Sequence, residues 1–193
     1  MTVTVPSPEA ERTKKHVICA LVENQPGVLV RVLNLFRRRN FNIDSLTVGR
    51  TQREEYSRLT MVMEGTRREA DLVEKNLFKL VNVIHVEHLE DTPAVQRDLA
   101  LMKVQADAET RREVTQLCDI FRARILDVST EAMVIEITGE ESKVENFIEL
   151  MRPMGIVEMV RTGVVAMGRG DHTLRDHGYR PQRFPTSAKP NVL

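Results

Sequence analysis

The amino-acid sequence predicts an α+β fold made of two consecutive βαββαβ units. The chain has 193 residues, of which 41% are hydrophobic, enough for two small cores of roughly 75 residues each. The spacing of hydrophobic residues predicts strands and helices along the chain, and the same order of strands and helices occurs twice. A strand, helix, strand, strand, helix, strand unit gives the ferredoxin-like arrangement, an antiparallel sheet with both helices on one face.

The first unit opens with an apolar run, VICALV at 17–22, which is typical of a strand covered on both faces. The turn ENQPG interrupts this run, and apolar residues then recur at helical spacing. Three arginines, 37–39, suit the last turn of that helix because they complement its dipole. The predicted apolar stripe of this helix comprises Val28, Leu29, Val32, Leu33 and Phe36.

A hairpin, a helix and a strand complete the first unit. Apolar and polar residues alternate on both sides of the polar turn TQREE, which indicates two antiparallel strands. The segment after Gly65 has an apolar helical face, and VNVIHVEHL returns to the pattern of a strand. The second helical face comprises Leu72, Val73, Leu77 and Leu80.

The second unit repeats the order of elements with little residue identity. DLALMKVQA alternates as a strand, and two further amphipathic helices flank a hairpin around Thr130 and Glu131. The segment IVEMVRTGVVAM supplies the closing strands. The predicted helical stripes are Val114, Leu117, Ile120 and Phe121 in the third helix, and Val144, Phe147, Ile148 and Met151 in the fourth.

These elements predict the organisation of the whole chain. Each sheet has one face that no helix covers, and such faces pair with another surface, either between the two halves or between copies. We therefore expect a homodimer or a higher oligomer. The predicted segments are a flexible N-terminal extension at 1–15, a first domain at 16–90, a linker at 91–97, a second domain at 98–170 and a flexible tail at 171–193.

Composition narrows the classes of partner. The 28 basic residues equal the 28 acidic residues, so no overall field favours nucleic acid or an anionic membrane. The apolar runs are far shorter than a membrane span, and the amino terminus lacks the order of a secretory signal. We therefore expect a cytoplasmic protein. Cys19 and Cys118 lie in apolar patterns and are predicted to be buried free thiols.

The sequence contains no recognisable catalytic constellation. It has no Walker loop, GxGxxG, GxSxG or CxxC motif, so no catalytic residue is assigned. His85 and His88, with Glu87 and Glu90, invite a metal site, but residues three apart on a strand face opposite ways and cannot share an ion. We therefore interpret the two histidines as surface histidines on an outer strand and assign no metal ligand. His172 and His177 fall in the predicted tail, where no scaffold supports a site.

The segment 23–49 is the most informative part of the chain. A strand ends and a helix begins across NQPG, so the unpaired N–H groups of the first helical turn can face a carboxylate. Gly27 allows a ligand to approach the backbone, and the amide oxygens of Asn24 and Asn42 can accept from an ammonium group. The alternative is that Asn24 and Gly27 only form a turn and a helix cap.

The stretch VENQPGVLVRVLNLFRRRNFNIDSLTVGRT closely resembles the amino-terminal ACT domain of the small, regulatory subunit of acetohydroxyacid synthase (acetolactate synthase). The similarity extends over roughly 16–171, and NIDSLTVG and RTGVVAMGRG are specific to that family. The resemblance implies a non-catalytic subunit that activates a catalytic subunit and confers feedback inhibition by branched-chain amino acids, chiefly valine. It places thiamine diphosphate, magnesium and FAD on the catalytic partner and no cofactor on this chain.

The resemblance also implies where the effector binds. In that family the effector lies where two ACT domains meet, held by the loop before the first helix and by the second strand. The matching positions are Asn24, Gly27, Leu29, Asn42, Ile43, Val48 and Gly49.

Two other classes of function compete with this interpretation. A tandem-ACT amino-acid sensor that regulates transcription is the runner-up, although the neutral net charge disfavours direct binding to DNA. An enzyme is the third, because no segment remains for a catalytic domain.

Overall fold

The computed structural model describes residues 12–174, and it confirms the α+β class and the two consecutive ferredoxin-like units. Residues 1–11 and 175–193, which the sequence assigns to the extension and the tail, lie outside the described part of the chain. The first unit comprises β1 (Lys14–Glu23), α1 (Val28–Arg39), β2 (Ser45–Arg50), β3 (Tyr56–Gly65), α2 (Arg67–Leu77) and β4 (Val83–His88).

The four strands of the first unit form one antiparallel sheet in the order β2-β3-β1-β4. Both helices cover one face, and the core between them includes Ile18, Val32 and Phe36. Leu29 and Leu33, which the sequence places in the apolar stripe of α1, are 37% and 39% exposed. A helix resting on a single sheet buries a line of residues four apart, so the residues beside that line stay at the margin.

The second unit repeats this architecture and adds one strand. It comprises β5 (Ala94–Gln105), α3 (Thr110–Phe121), β6 (Arg124–Val128), β7 (Ala132–Gly139), α4 (Glu141–Met151), β8 (Ile156–Arg161) and β9 (Val165–Gly168). The sheet order is β6-β7-β5-β8, and residues 94–97 of β5 pair with β9. The segment predicted to be a linker is therefore partly strand. Ile120, predicted for the stripe of α3, is instead 72% exposed.

The second unit covers part of the face of the first sheet that no helix protects. Val17 and Val62 on that face pack against Val164 and Ala166, in one buried cluster. Arg58 Nη2 donates to the carbonyl oxygen of Ala166 at 2.6 Å. The sequence predicts that the bare faces pair either between the two halves or between copies of the chain. For the first sheet the contact is between the halves, and residues in and beside β9 make it. Leu101, Val134 and Val160, on the corresponding face of the second sheet, remain partly exposed.

Both cysteines match their prediction. Cys19 and Cys118 are buried and free, and burial raises the pKa of the Cys118 thiol to about 11. A thiol that stays protonated at neutral pH is a weak nucleophile.

None of the helices within residues 12–174 is long and apolar enough to cross a membrane.

An ion pair anchors β8 to the start of β5. Asp98 has a side chain only 1% exposed, and Arg161 contacts its carboxylate through Nη2 and through Nε, the latter at 3.0 Å. Arg161 Nη1 also donates to Glu145 on α4 at 2.8 Å. Burial alone lowers the pKa of Arg161, but these hydrogen bonds and charges outweigh it and raise the pKa above its usual value. The guanidinium therefore stays charged beside the buried carboxylate.

We predict that Arg161→Ala lowers the free energy of unfolding by about 3–5 kcal/mol, because it leaves a buried carboxylate without its cation. The matched control is Arg152→Ala, which removes an exposed pair with Glu149 and costs about 0–1 kcal/mol. Urea denaturation of the two variants measures both values. Equal losses would show that the Asp98 carboxylate is solvated after all.

Candidate functional site

The loop before α1 is tied to the turn between β2 and β3. The backbone N–H of Asn24 donates to the carbonyl oxygen of Glu55 at 2.7 Å, and its side-chain Nδ2 donates to that of Glu54 at 2.9 Å. The second bond orients the amide so that its only acceptor atom, Oδ1, faces away from that turn. The side chain of Asn24 therefore braces the loop, and it does not cap the helix.

Among residues 12–174, no side chain caps the N-terminus of α1. Gly27 is the N-cap residue at φ +84°, and neither a side-chain cap nor an acidic residue in the first turn is present. A Cβ added to Gly27 would meet no atom within 4 Å, so the space in front of the helix is open. At α2, in contrast, Thr66 and Glu69 form a complete capping box.

The N–H of Val28 makes a long hydrogen bond to the carbonyl oxygen of Gln25 at 3.4 Å. In contrast, the N–H groups of Leu29 and Val30 and the positive end of the dipole of α1 can face a carboxylate.

The Asn42 and Ile43 positions lie between α1 and β2. Asn42 is exposed, and its Nδ2 donates to Asp44 Oδ1 at 3.2 Å. Ile43 is half-buried and packs against the core of the first unit. The backbone N–H of Asp44 donates to the carbonyl oxygen of Val62 at 2.8 Å, which fixes the chain just before β2.

Val48 and Gly49 lie on β2, at one edge of the sheet. They stand opposite Leu59 and Arg58 of β3. The side chain of Val48 is 46% exposed, and a Cβ at Gly49 would meet nothing within 4 Å. The outward edge of β2 therefore presents backbone groups and an apolar side chain to whatever approaches it.

The seven predicted effector residues form two groups at opposite ends of the unit. Because β1 and β2 are both antiparallel to β3, they run in the same direction, so the loop after β1 and the segment before β2 lie at opposite ends. The 12 residues of α1 separate Gly27 from Asn42 by about 18 Å. All seven residues except Ile43 are exposed. A single chain therefore does not enclose a ligand with this set.

The structure corrects the interpretation of His88. His88 is 5% exposed and lies beside His16 and Glu90, and His85 is half-buried against Phe78. The prediction of a surface position is wrong for His88, whereas β4 is an outer strand, as predicted, and His85 is partly exposed on it. His85 and His88 do face opposite ways, as the strand period requires. The neighbour of His88 is 72 residues away along the chain, so no local pattern could have revealed the cluster.

Two protein-family models match the chain, one in each half. Residues 18–85 match the model described as the AHAS small subunit-like ACT domain. Residues 97–170 match the model described as the small subunit of acetolactate synthase. The two matches follow the two folded units.

Proteins similar to this chain carry the same description. This chain is 53% identical over 157 residues to a probable acetolactate synthase small subunit of Archaeoglobus fulgidus, and the match covers 81% of this chain and 98% of that protein. It is 44% identical over 158 residues to the acetolactate synthase small subunit of Mycolicibacterium smegmatis, covering 82% and 93% of the two proteins. These matches do not favour the alternative of a transcriptional regulator.

A solved structure agrees with this assignment. The crystal structure of the acetolactate synthase small subunit from Thermotoga maritima superposes with a TM-score of 0.76 at 44% identity, covering 82% of this chain and 99% of that one. The agreement extends over both units and not over the first alone. The chain therefore belongs to the family of acetolactate synthase small subunits, and its first unit is an ACT domain of the type found in that family.

Proposed function

We propose that this chain is a non-catalytic regulatory subunit, which activates a thiamine diphosphate-dependent acetolactate synthase catalytic subunit and confers feedback inhibition by valine. The observation that carries the proposal is the open, uncapped N-terminus of α1 within a unit that matches the small-subunit ACT model. The reaction takes place on the partner, which holds thiamine diphosphate, magnesium and FAD. This chain contributes binding and regulation in branched-chain amino-acid biosynthesis.

The site is completed by a second copy of the chain. If the β2 edges of two copies pair antiparallel about a two-fold axis, the end of one unit that carries the loop after β1 meets the end of the other that carries the segment before β2. Asn42 of the second copy then approaches Gly27 of the first. The exposed Leu29, Leu33 and Val48 lie on α1 and β2, and burying them in this contact favours the dimer.

The geometry of this shared site suits a small apolar amino acid. The carboxylate accepts from the N–H groups of the first turn of α1, where no capping side chain from residues 12–174 competes. The ammonium group donates to the amide oxygens of Asn24 and of Asn42 from the other copy. The exposed apolar side chains of Leu29 and Val48 provide contacts for a branched aliphatic side chain, which supports valine as the effector.

We predict that the purified chain forms no acetolactate from pyruvate by itself and increases the turnover of its catalytic partner when the two are mixed. The physical reason is that the chain supplies contacts to the partner and no reacting group. Acetolactate formation, measured with each subunit alone and with both, checks the prediction. Product formed by this chain in the absence of the partner contradicts it.

We predict that Gly27→Asp weakens valine inhibition about 100-fold or more while most of the activation remains. The new carboxylate occupies the N-terminus of α1 and repels the carboxylate of valine by a few kcal/mol, where about 1.4 kcal/mol corresponds to a factor of ten. The readout is acetolactate formation by the reconstituted pair against valine concentration.

Gly27→Asn is the matched control for this substitution. Asparagine has the size of aspartate and also tolerates the left-handed conformation at φ +84°, but it carries no charge. It is expected to weaken inhibition far less than Gly27→Asp. Equal effects of the two variants would show that bulk, and not charge at the helix start, disturbs the effector.

We predict that variants in separate copies complement each other. Asn42→Ala alone weakens valine binding about tenfold, because it removes one acceptor of the ammonium group. In a heterodimer of one Gly27→Asp chain and one Asn42→Ala chain, one shared site carries both changes and the other carries neither. Calorimetry is therefore expected to find one wild-type site per heterodimer. If instead both sites of the heterodimer are weakened, each site belongs to a single chain.

A further inference from the structure

Three potential metal ligands converge in the first unit. They lie at the end of its sheet where the connection to the second unit begins. His16 comes from the start of β1, His88 ends β4, and Glu90 lies on the short 3₁₀ turn Leu89–Asp91. His16 Nδ1 is 3.1 Å from His88 Nε2 and 3.2 Å from Glu90 Oε2, and His88 Nε2 is 3.5 Å from Glu90 Oε2.

The tautomer of His16 makes the meeting of these atoms electrostatically unusual. His16 Nε2 lies 3.0 Å from the carbonyl oxygen of Gly65, which can only accept, so Nε2 carries a proton. In the neutral ring, Nδ1 then presents a lone pair toward both His88 Nε2 and Glu90 Oε2. His88 Nε2 can donate to it in one tautomer, whereas an ionised carboxylate oxygen can only accept. A cation between Nδ1 and this oxygen, either a proton or a metal ion, removes the repulsion. The Gly65 contact is also the kind of outer hydrogen bond that orients a metal-bound histidine.

The spacing of the three atoms fits a tetrahedral ion. Bonds of roughly 2.0–2.1 Å to histidine nitrogen and carboxylate oxygen, at tetrahedral angles, place ligand atoms about 3.4 Å apart. The observed separations of 3.1, 3.2 and 3.5 Å are within a few tenths of an ångström of that value. Such an ion lies just off the plane of the three atoms, and its fourth position is left for water.

Burial and charge around the cluster are compatible with a divalent ion. The side chains of His16 and His88 are 0% and 2% exposed, whereas that of Glu90 is 22% exposed, so the ion enters from the Glu90 side. Lys14 Nζ contacts Glu90 Oε2 at 3.1 Å and Arg67 Nη1 lies 3.9 Å from it. Arg67 is in turn paired with Asp71. Half-exposed Lys14 is the competing cation that an ion must displace from this oxygen.

We propose that His16, His88 and Glu90 form a binding site for a divalent ion of the zinc class. Two imidazoles and one carboxylate are a donor set that suits zinc and cobalt better than magnesium or calcium. The ion joins β1, the end of β4 and the turn that leads into β5. It therefore fastens the connection between the effector unit and the second unit, apart from the effector residues themselves.

The test is a zinc titration of the full chain after treatment with a chelator, with a competing chromophoric chelator as the readout. We expect one zinc ion per chain, bound about 100-fold more weakly by Glu90→Gln, because removal of a ligand costs at least as much as removal of an outer partner. Cobalt in place of zinc is expected to give the intense visible absorption of a four-coordinate site. Glu90→Gln changes the most exposed of the three ligands, and circular dichroism verifies its fold.

Two control variants isolate the cluster from the other histidines. His85→Gln alters the opposite face of β4, and His172→Gln with His177→Gln removes the histidines near the carboxyl terminus. Both are expected to bind zinc as the wild type does. The proposal is overturned if the wild type binds no zinc, if Glu90→Gln binds it equally well, or if binding is lost with His172 and His177.

Discussion

An antiparallel sheet with both helices on one face leaves an apolar face and two edges unsatisfied, and this constraint governs the rest of the structure. In the first unit part of this face is covered by Val164 and Ala166 of the second unit, so the two halves pack against each other. Gly163 stands beside this contact at φ +76°, and a Cβ there would lie 2.6 Å from Ser45 Cβ. Only a residue without a side chain allows the connection between β8 and β9 to approach the first sheet this closely.

The edge of the sheet remains open and gives the proposed effector site its form. In the proposed dimer the backbone of β2 pairs with that of a second copy, and the two-fold axis would convert two separated groups of residues into two complete sites. Each group has a local cause. The loop at Asn24 is held by Glu54 and Glu55, and Gly27 starts α1 without a capping side chain. Regulation in this proposal depends on a ligand that joins two copies, so effector binding and dimer geometry are linked.

The start of β1 lies beside the connection between the first unit and the second unit. His16, His88 and Glu90 converge there. The strand that follows, β5, pairs with β9 through its first residues and with β7 and β8 through the rest. Lys15 on the same strand as His16 contacts Glu141 on α4 at 2.5 Å, and this hydrogen bond, together with nearby carboxylates, raises the pKa of Lys15. The proposed ion would stiffen a junction that the chain already bridges by the ion pair of Lys15 with Glu141 and by the packing of Val164 and Ala166 on the first sheet.

The sequence by itself determined the elements and their order, because hydrophobic periodicity depends only on neighbours along the chain. The helices, the hairpins and the polar turn at Gly27 followed from it, and resemblance to a family supplied the full set of candidate effector residues. The tertiary structure alone decided which margins of the helices are buried, as Leu29, Leu33 and Ile120 show. It alone decided that Asn42 lies far from Gly27, that β9 covers the first sheet, and that His16 meets His88, since these depend on strand order and on contacts between residues distant in sequence.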